Sequence, residues 1–151
     1  MQPDEQRQMA EIMQKICGFL NTAGGTLYIG VRDNCEINGL HEDFKYINDN
    51  YDDYDIVDVQ DKFKVRFANG INRYFGSTNN GVNLSAEHIR GDFDYIDGKY
   101  VFVVTVRPSE RAVAMTDGSM FIRNGNTNNR IASEEERRLF AENRRRQFAQ
   151  G

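Results

Sequence analysis

The stretch from Phe19 to Leu40, FLNTAGGTLYIGVRDNCEINGL, constrains this chain more than any other, because a suitable residue marks each boundary of a helix, strand and hairpin. Gly24 and Gly25 follow the last turn of a helix, where glycine adopts the left-handed conformation at little steric cost. Leu27, Ile29 and Val31 alternate with Thr26, Tyr28 and Gly30, the period of two of a strand with one aliphatic face. Arg32-Asp33-Asn34 turns the chain, and Ile37 to Leu40 brings it back as the second arm of a hairpin. The glycine pair is not a phosphate-cradling loop. Such loops run from strand to helix and use the positive pole of the helix, whereas these glycines follow the negative one.

The flanking sequence supplies the elements that can pack on this unit. Met9, Ile12, Met13, Ile16, Phe19 and Leu20 have the three-and-four spacing of an amphipathic helix from Asp4 to Leu20, with Cys17 on its apolar face as a core thiol. Residues 41 to 61 are acidic and aromatic and predict a solvated connection, whose last aspartates lead into a helix from Val57 to Phe75. Val59, Phe63, Phe67 and Ile71 form the apolar stripe of that helix, and Lys62, Lys64, Arg66 and Arg73 its solvated face. After a loop at 76 to 81, Val82 to Tyr95 and Lys99 to Arg107 predict two strands joined by the two-residue turn Asp97-Gly98. The run Tyr100 to Val106 is apolar on both faces and predicts a central strand covered on each side. A second hairpin is expected about Asp117-Gly118, from Ala112 to Met115 and from Ser119 to Arg123, followed by a polar loop from Asn124 to Arg130. Ser133 and Glu136 have capping-box spacing for a last helix, and Arg144 to Arg146 complement its C-terminal dipole. The fold class is α/β (α+β), a mixed sheet of hairpins backed by helices, with one domain over residues 1–151.

Charge and composition narrow the function. The net charge of −4 divides into −9 over residues 1 to 61 and +5 over residues 62 to 151, so the later part can offer a positive surface to a polyanion. With two histidines far apart and no nucleophile motif, hydrolase chemistry has little support. Two separated cysteines make neither a zinc knuckle nor a redox pair. No apolar run spans a bilayer and the N-terminus is polar, so a cytoplasmic location without membrane contact is expected. No cofactor is called for by these residues.

Two blocks of residues together resemble the Schlafen AlbA-like domain (AlbA_2), a DNA-binding module common in bacterial regulators. The first runs through Phe19, Asn21, Thr22, Gly24, Gly25, Leu27, Ile29, Gly30, Val31, Asp33, Ile37, Gly39 and Leu40. The second comprises Val106, Pro108, Ser109, Val113, Gly118, Phe121, Ile122, Arg123, Gly125, Thr127 and Ala132. The resemblance implies a mixed α/β domain that contacts nucleic acid, DNA ahead of RNA, and is often joined to other domains. Arg107, Arg111, Arg123 and Arg130 are the candidate phosphate contacts, because cations at strand ends and on a polar loop neutralise phosphates without reading sequence.

Some Schlafen relatives are Mg²⁺- or Mn²⁺-dependent endoribonucleases, and Asp33 looks like the aspartate of their carboxylate cluster. The family's glutamate pair, on a strand ahead of the first helix, is missing from this chain, so the expected role is non-catalytic binding, with the ribonuclease as the alternative. The missing strand also suggests a fragment or divergent member, whose sheet edge a second copy could cover in a homodimer. A protein-interaction or oligomerisation module is the remaining alternative.

Overall fold

The helical periodicity that begins the chain is realised as α1 (Pro3–Leu20), whose apolar stripe is buried at Met13, Ile16, Cys17, Phe19 and Leu20. The computed structural model describes residues 3–32, 34–76, 79 and 83–149, with Asp33, Val82 and most of the loop from 77 to 81 outside that set. The order of elements is then β1 (Gly25–Ile29), α2 (His41–Ile47), α3 (Ile56–Phe75), α4 (Leu84–Glu87), β2 (Ile89–Ile96), β3 (Lys99–Val106), β4 (Phe121–Asn124), β5 (Thr127–Arg130) and α5 (Glu134–Ala149). This is the mixed α and β class expected, with small antiparallel sheets and five helices among the described residues.

The chain forms two compact units, each assembled from separated stretches. Unit 1 takes residues 1–25, 70–89 and 106–151, and unit 2 takes residues 26–69 and 90–105.

In unit 1, the end of α1 shows that the two glycines do different work. The N–H of Gly24 returns to Phe19 O at 2.9 Å, and Gly24 sits at φ +73°, the left-handed stop expected. Gly25 instead begins β1 and is held there by close approach. A Cβ on it would stand 2.3 Å from the Phe19 ring, so any larger side chain displaces a core aromatic. A similar contact explains Gly18 inside α1, because Asn128 Oδ1 of β5 would lie 1.9 Å from its Cβ, and the Asn128 amide donates to Gln14 O at 3.1 Å.

The sequence predicts a polar loop from Asn124 to Arg130, but that segment is half of a hairpin. β4 and β5 pair antiparallel, Phe121 with Arg130 and Arg123 with Asn128, around Gly125 at φ +60°. The expected Ala112 to Met115 strand is not formed. Only Met115 N–H to Ser119 O at 2.8 Å remains of its ladder, closing a turn in which Asp117 accepts from Ser119 N–H and Oγ–H. Those two bonds hold the Asp117 carboxyl below the usual carboxylate range. α5 starts as expected, Ser133 Oγ accepting from Glu136 N–H at 3.1 Å, and packs Phe140 and Ala141 against the cluster of Ala112, Met120 and Ile131.

Cys17 is buried and its thiol is pushed up to about 12, mainly by loss of solvent. Cys35, in unit 2, is exposed. We expect one alkylated thiol per folded chain, at Cys35, when iodoacetamide is applied at pH 8 and peptides are mapped by mass. Equal labelling of both cysteines without denaturant would contradict the burial.

Unit 2 is a three-stranded sheet in the order β1-β3-β2, with β3 central as its apolar run predicts. Coverage is complete on one face and graded on the other. Phe102, Val104 and Val106 are buried, while on the alternate positions Val101 is buried, Val103 half-buried and Thr105 exposed. Asp97 and Gly98 both take positive φ, as a two-residue primed turn requires. The long strand predicted from Val82 begins only at Ile89, because Asn83 caps the short α4 through its side chain to Ala86 N–H.

The acidic stretch is likewise not all connection, since His41 to Ile47 is helical and buries Phe44. Phe44 packs on Tyr54, Phe63, Phe93 and Tyr100 with ring centroids 5.7–6.2 Å apart, and Phe102 lies 4.9–5.1 Å from Phe63, Phe67 and Phe93. Asp55 caps α3 as expected of an aspartate leading into a helix, accepting from Val57 and Asp58 N–H. The return arm from Ile37 to Leu40 is reduced to one bridge, Val31 with Ile37, and to Asn38 and Gly39 N–H on Gly30 O. Gly30 at φ +101° supplies the bend.

Candidate nucleic-acid interface

The charge asymmetry of the sequence persists, in weaker form, when assigned to the two units. Unit 1 holds 12 Lys and Arg against 10 Asp and Glu, net +2, whereas unit 2 holds 7 against 13, net −6, together the −4 of the chain. Arg107, Arg111, Arg123 and Arg130 all fall in unit 1.

Three of the four are gathered near the end of α1, two by the hydrogen bonds of Ser109 and one by a ring contact. Ser109 N–H donates to Leu20 O at 2.8 Å, and its hydroxyl accepts from Arg111 N–H at 3.3 Å. Arg107 and Arg111 are thus two residues either side of an anchored, buried serine, and both are exposed. Arg107 N–H is fixed on His88 O at 2.8 Å. Arg123 shares a hairpin face with Phe121 and Asn128, and its guanidinium lies 4.6 Å from the centre of the Phe19 ring, half-buried. It is less available to a ligand than an open cation. Arg130, at the far end of the same hairpin, is exposed, and its charge helps keep the nearby Asp117 ionised.

The signature residues prove architectural. Asn21 is 1% exposed and joins three parts of unit 1. Its Oδ1 accepts from Val113 N–H at 2.7 Å, while its Nδ2 donates to Val113 O and Phe121 O, each at 2.9 Å. Gly24, Gly25, Gly30 and Gly125 set turns or close contacts. Asp33 lies outside the described residues.

Arg144 is the site residue that dipole reasoning missed. It is 6% exposed and donates from Nε to Ser109 O at 3.0 Å, and from Nη2 to Leu20 O at 3.3 Å and Thr22 O at 2.8 Å. Its guanidinium also lies 4.7 Å from the Phe148 ring. Burial lowers its pKa, but a guanidinium remains charged at any physiological pH. It therefore caps the end of α1 and holds the segment between Arg107 and Arg111. The signal was in the spacing: Phe140, Arg144 and Phe148 fall on one helical face, so Arg144 belongs to the packed stripe and its neighbours do not.

A divalent-metal centre needs converging carboxylates. Glu36, three residues after Asp33, is exposed and faces Arg32 at 3.8 Å. Among the described residues no group of three His, Cys, Asp or Glu could hold a metal ion. Asp33 itself lies outside the described residues, and no metal-assisted step is assigned. Among the described residues, no helix is long and apolar enough to cross a membrane.

Comparison with known proteins agrees with this architecture. The family model described as Schlafen, AlbA_2 matches residues 1–132. Among solved structures, the chain is similar to the DIP2311 protein from Corynebacterium diphtheriae, at 16% identity and a TM-score of 0.52. That likeness covers 89% of this chain and 22% of DIP2311, so this chain spans about a fifth of that protein and the likeness is one of fold. No curated protein matches the chain.

Proposed function

Because the chain belongs to the Schlafen AlbA_2 family, we propose that it binds nucleic acid through the phosphate backbone, without catalysis, and that unit 1 is the binding unit. Family membership is consistent with a nucleic-acid-related function. The observation that carries the finer reading is the placement of all four candidate arginines in the unit with net positive charge, while unit 2 is acidic. A polyanion approaching the protein is drawn toward the first and repelled by the second. Exposed arginines at a strand end and on a hairpin make contacts that position a backbone and carry little sequence information. Duplex DNA is the proposed ligand, in the setting of a bacterial regulator.

Fluorescence anisotropy with labelled duplex DNA and with a structured RNA, each titrated from 50 to 200 mM salt, tests this. Binding should weaken linearly in log–log form, at about 0.9 per phosphate neutralised on duplex DNA. Replacing Arg107 and Arg111 together by alanine should make that slope shallower by about 2. Absence of salt-dependent binding to both ligands would reject the function. Stronger binding of the RNA would reverse the order of ligands.

A further inference from the structure

The stretch matched by the family ends at residue 132, and α5 lies wholly beyond it. Nevertheless α5 is tied to the centre of the candidate interface, since its Arg144 donates to Ser109 O, and Ser109 stands midway between Arg107 and Arg111. Resting on the nucleic-acid reading above, we infer that α5 supplies a further phosphate contact, Arg145, which extends the surface formed by Arg107 and Arg111.

Several independent observations converge on this residue. Arg145 is exposed, and among the described residues it has no ion pair. The other exposed arginines of α5 are engaged: Arg138 holds Glu142 at 2.9 Å and Glu135 at 3.9 Å, and Arg146 holds Glu142 at 3.9 Å. The side chain of Arg107 is likewise without an ion pair among the described residues.

The covalent chain bounds how far apart these backbone positions lie. Consecutive Cα atoms are about 3.8 Å apart, so Arg107 and Arg111 each lie within about 8 Å of Ser109, and Arg145 is the immediate neighbour of the residue bonded to it. The segments 107–111 and 144–146 together hold five arginines and one carboxylate, Glu110. One of the five, Arg144, is consumed in fixing the two segments to each other, and Arg146 faces Glu142, which leaves Arg107 and Arg145 as exposed guanidinium groups without an ion pair among the described residues. A phosphate backbone fits such a surface, because it presents repeated negative charge and asks for no particular base.

The test compares wild type, Arg145→Ala and Arg138→Ala in the same anisotropy titration, with circular dichroism melts to confirm that both variants remain folded. Arg138→Ala removes an equal charge from the same helix at a place already neutralised by glutamates. The inference requires Arg145→Ala to weaken duplex DNA binding by about threefold to tenfold and to reduce the salt slope by about 1, with Arg138→Ala within about twofold of wild type. Wild-type affinity and slope in Arg145→Ala, alongside salt-dependent binding by the wild-type protein, would overturn the inference and leave the proposed function standing. A wild-type protein that binds neither DNA nor RNA would overturn both.

Discussion

Asn21→Asp should cost this protein about 3–5 kcal/mol at neutral pH, although the two side chains have nearly the same shape. The Asn21 amide gives its two protons to Val113 O and Phe121 O. A carboxylate there would aim oxygen at two carbonyl oxygens, in a position 1% exposed to water. The loss is a large part of the about 5–15 kcal/mol that holds most domains together. Its pH dependence has a definite sign. The buried aspartate would have a folded pKa raised above its unfolded value of about 3.9, so the variant would bind more protons folded than unfolded above that pH. Its deficit relative to wild type is small near pH 4 and grows by about 1.4 kcal/mol per pH unit as pH rises, until the folded pKa is passed. Thermal melts of both proteins from pH 4 to 7 measure that deficit, and parallel curves would show that the amide protons do not carry this joint. Asn21→Leu, which loses the same bonds without gaining charge, should be destabilised at every pH.

This joint explains why so much of the fold could be read from the chain and why its chemistry could not. Helix α1, the Gly24 stop, the β1 alternation and the Asp97-Gly98 turn follow from local rules of periodicity and φ, which act over a few residues. The errors lie where local rules compete. His41 to Ile47 has the acidic composition of a solvated connection, yet Phe44 finds four aromatic rings, from the connection before α3 and from α3, β2 and β3, and the helix forms around it. Asn124 to Arg130 is polar enough for a loop, yet pairing with β4 satisfies its backbone and Asn128 seats on Gly18. In both, contacts remote in sequence override composition.

The candidate site was legible in part for the same reason. That the later part of the chain is basic is a property of the sequence, and the structure assigns ten of its fifteen cations to unit 1, with Arg107 and Arg111 exposed. That Arg123 lies over Phe19, with its charge partly withdrawn from solvent, depends on the register of β4 against β5 and on the angle at which the hairpin meets α1. No spacing encodes that angle. Asn21 could be recognised as part of a pattern without its role being visible, because its three backbone partners lie 92 to 100 positions away.

Arg144→Met should lower stability by about 2–4 kcal/mol, a fall in melting temperature of about 5–15 °C, whereas Arg145→Met and Arg146→Met should each stay within about 0.5 kcal/mol of wild type. If the three arginines served only the dipole of α5, each would contribute about 0.3–1 kcal/mol and the variants would be alike. They differ because Arg144 alone donates to the carbonyl oxygens of Leu20, Thr22 and Ser109, which methionine leaves without a donor in a buried place. Arg144→Lys keeps the charge but offers a single ammonium where a planar fork spans three acceptors, and should fall between the two. Amide exchange gives a local readout. The Ser109 N–H, bonded to Leu20 O, should lose protection in Arg144→Met more than the N–H of Met115, whose bond to Ser119 O lies within its own turn. Equal melting temperatures across the three methionine variants would mean that the end of α1 is held by something other than this guanidinium. The positioning of Arg107 and Arg111 would then need another cause.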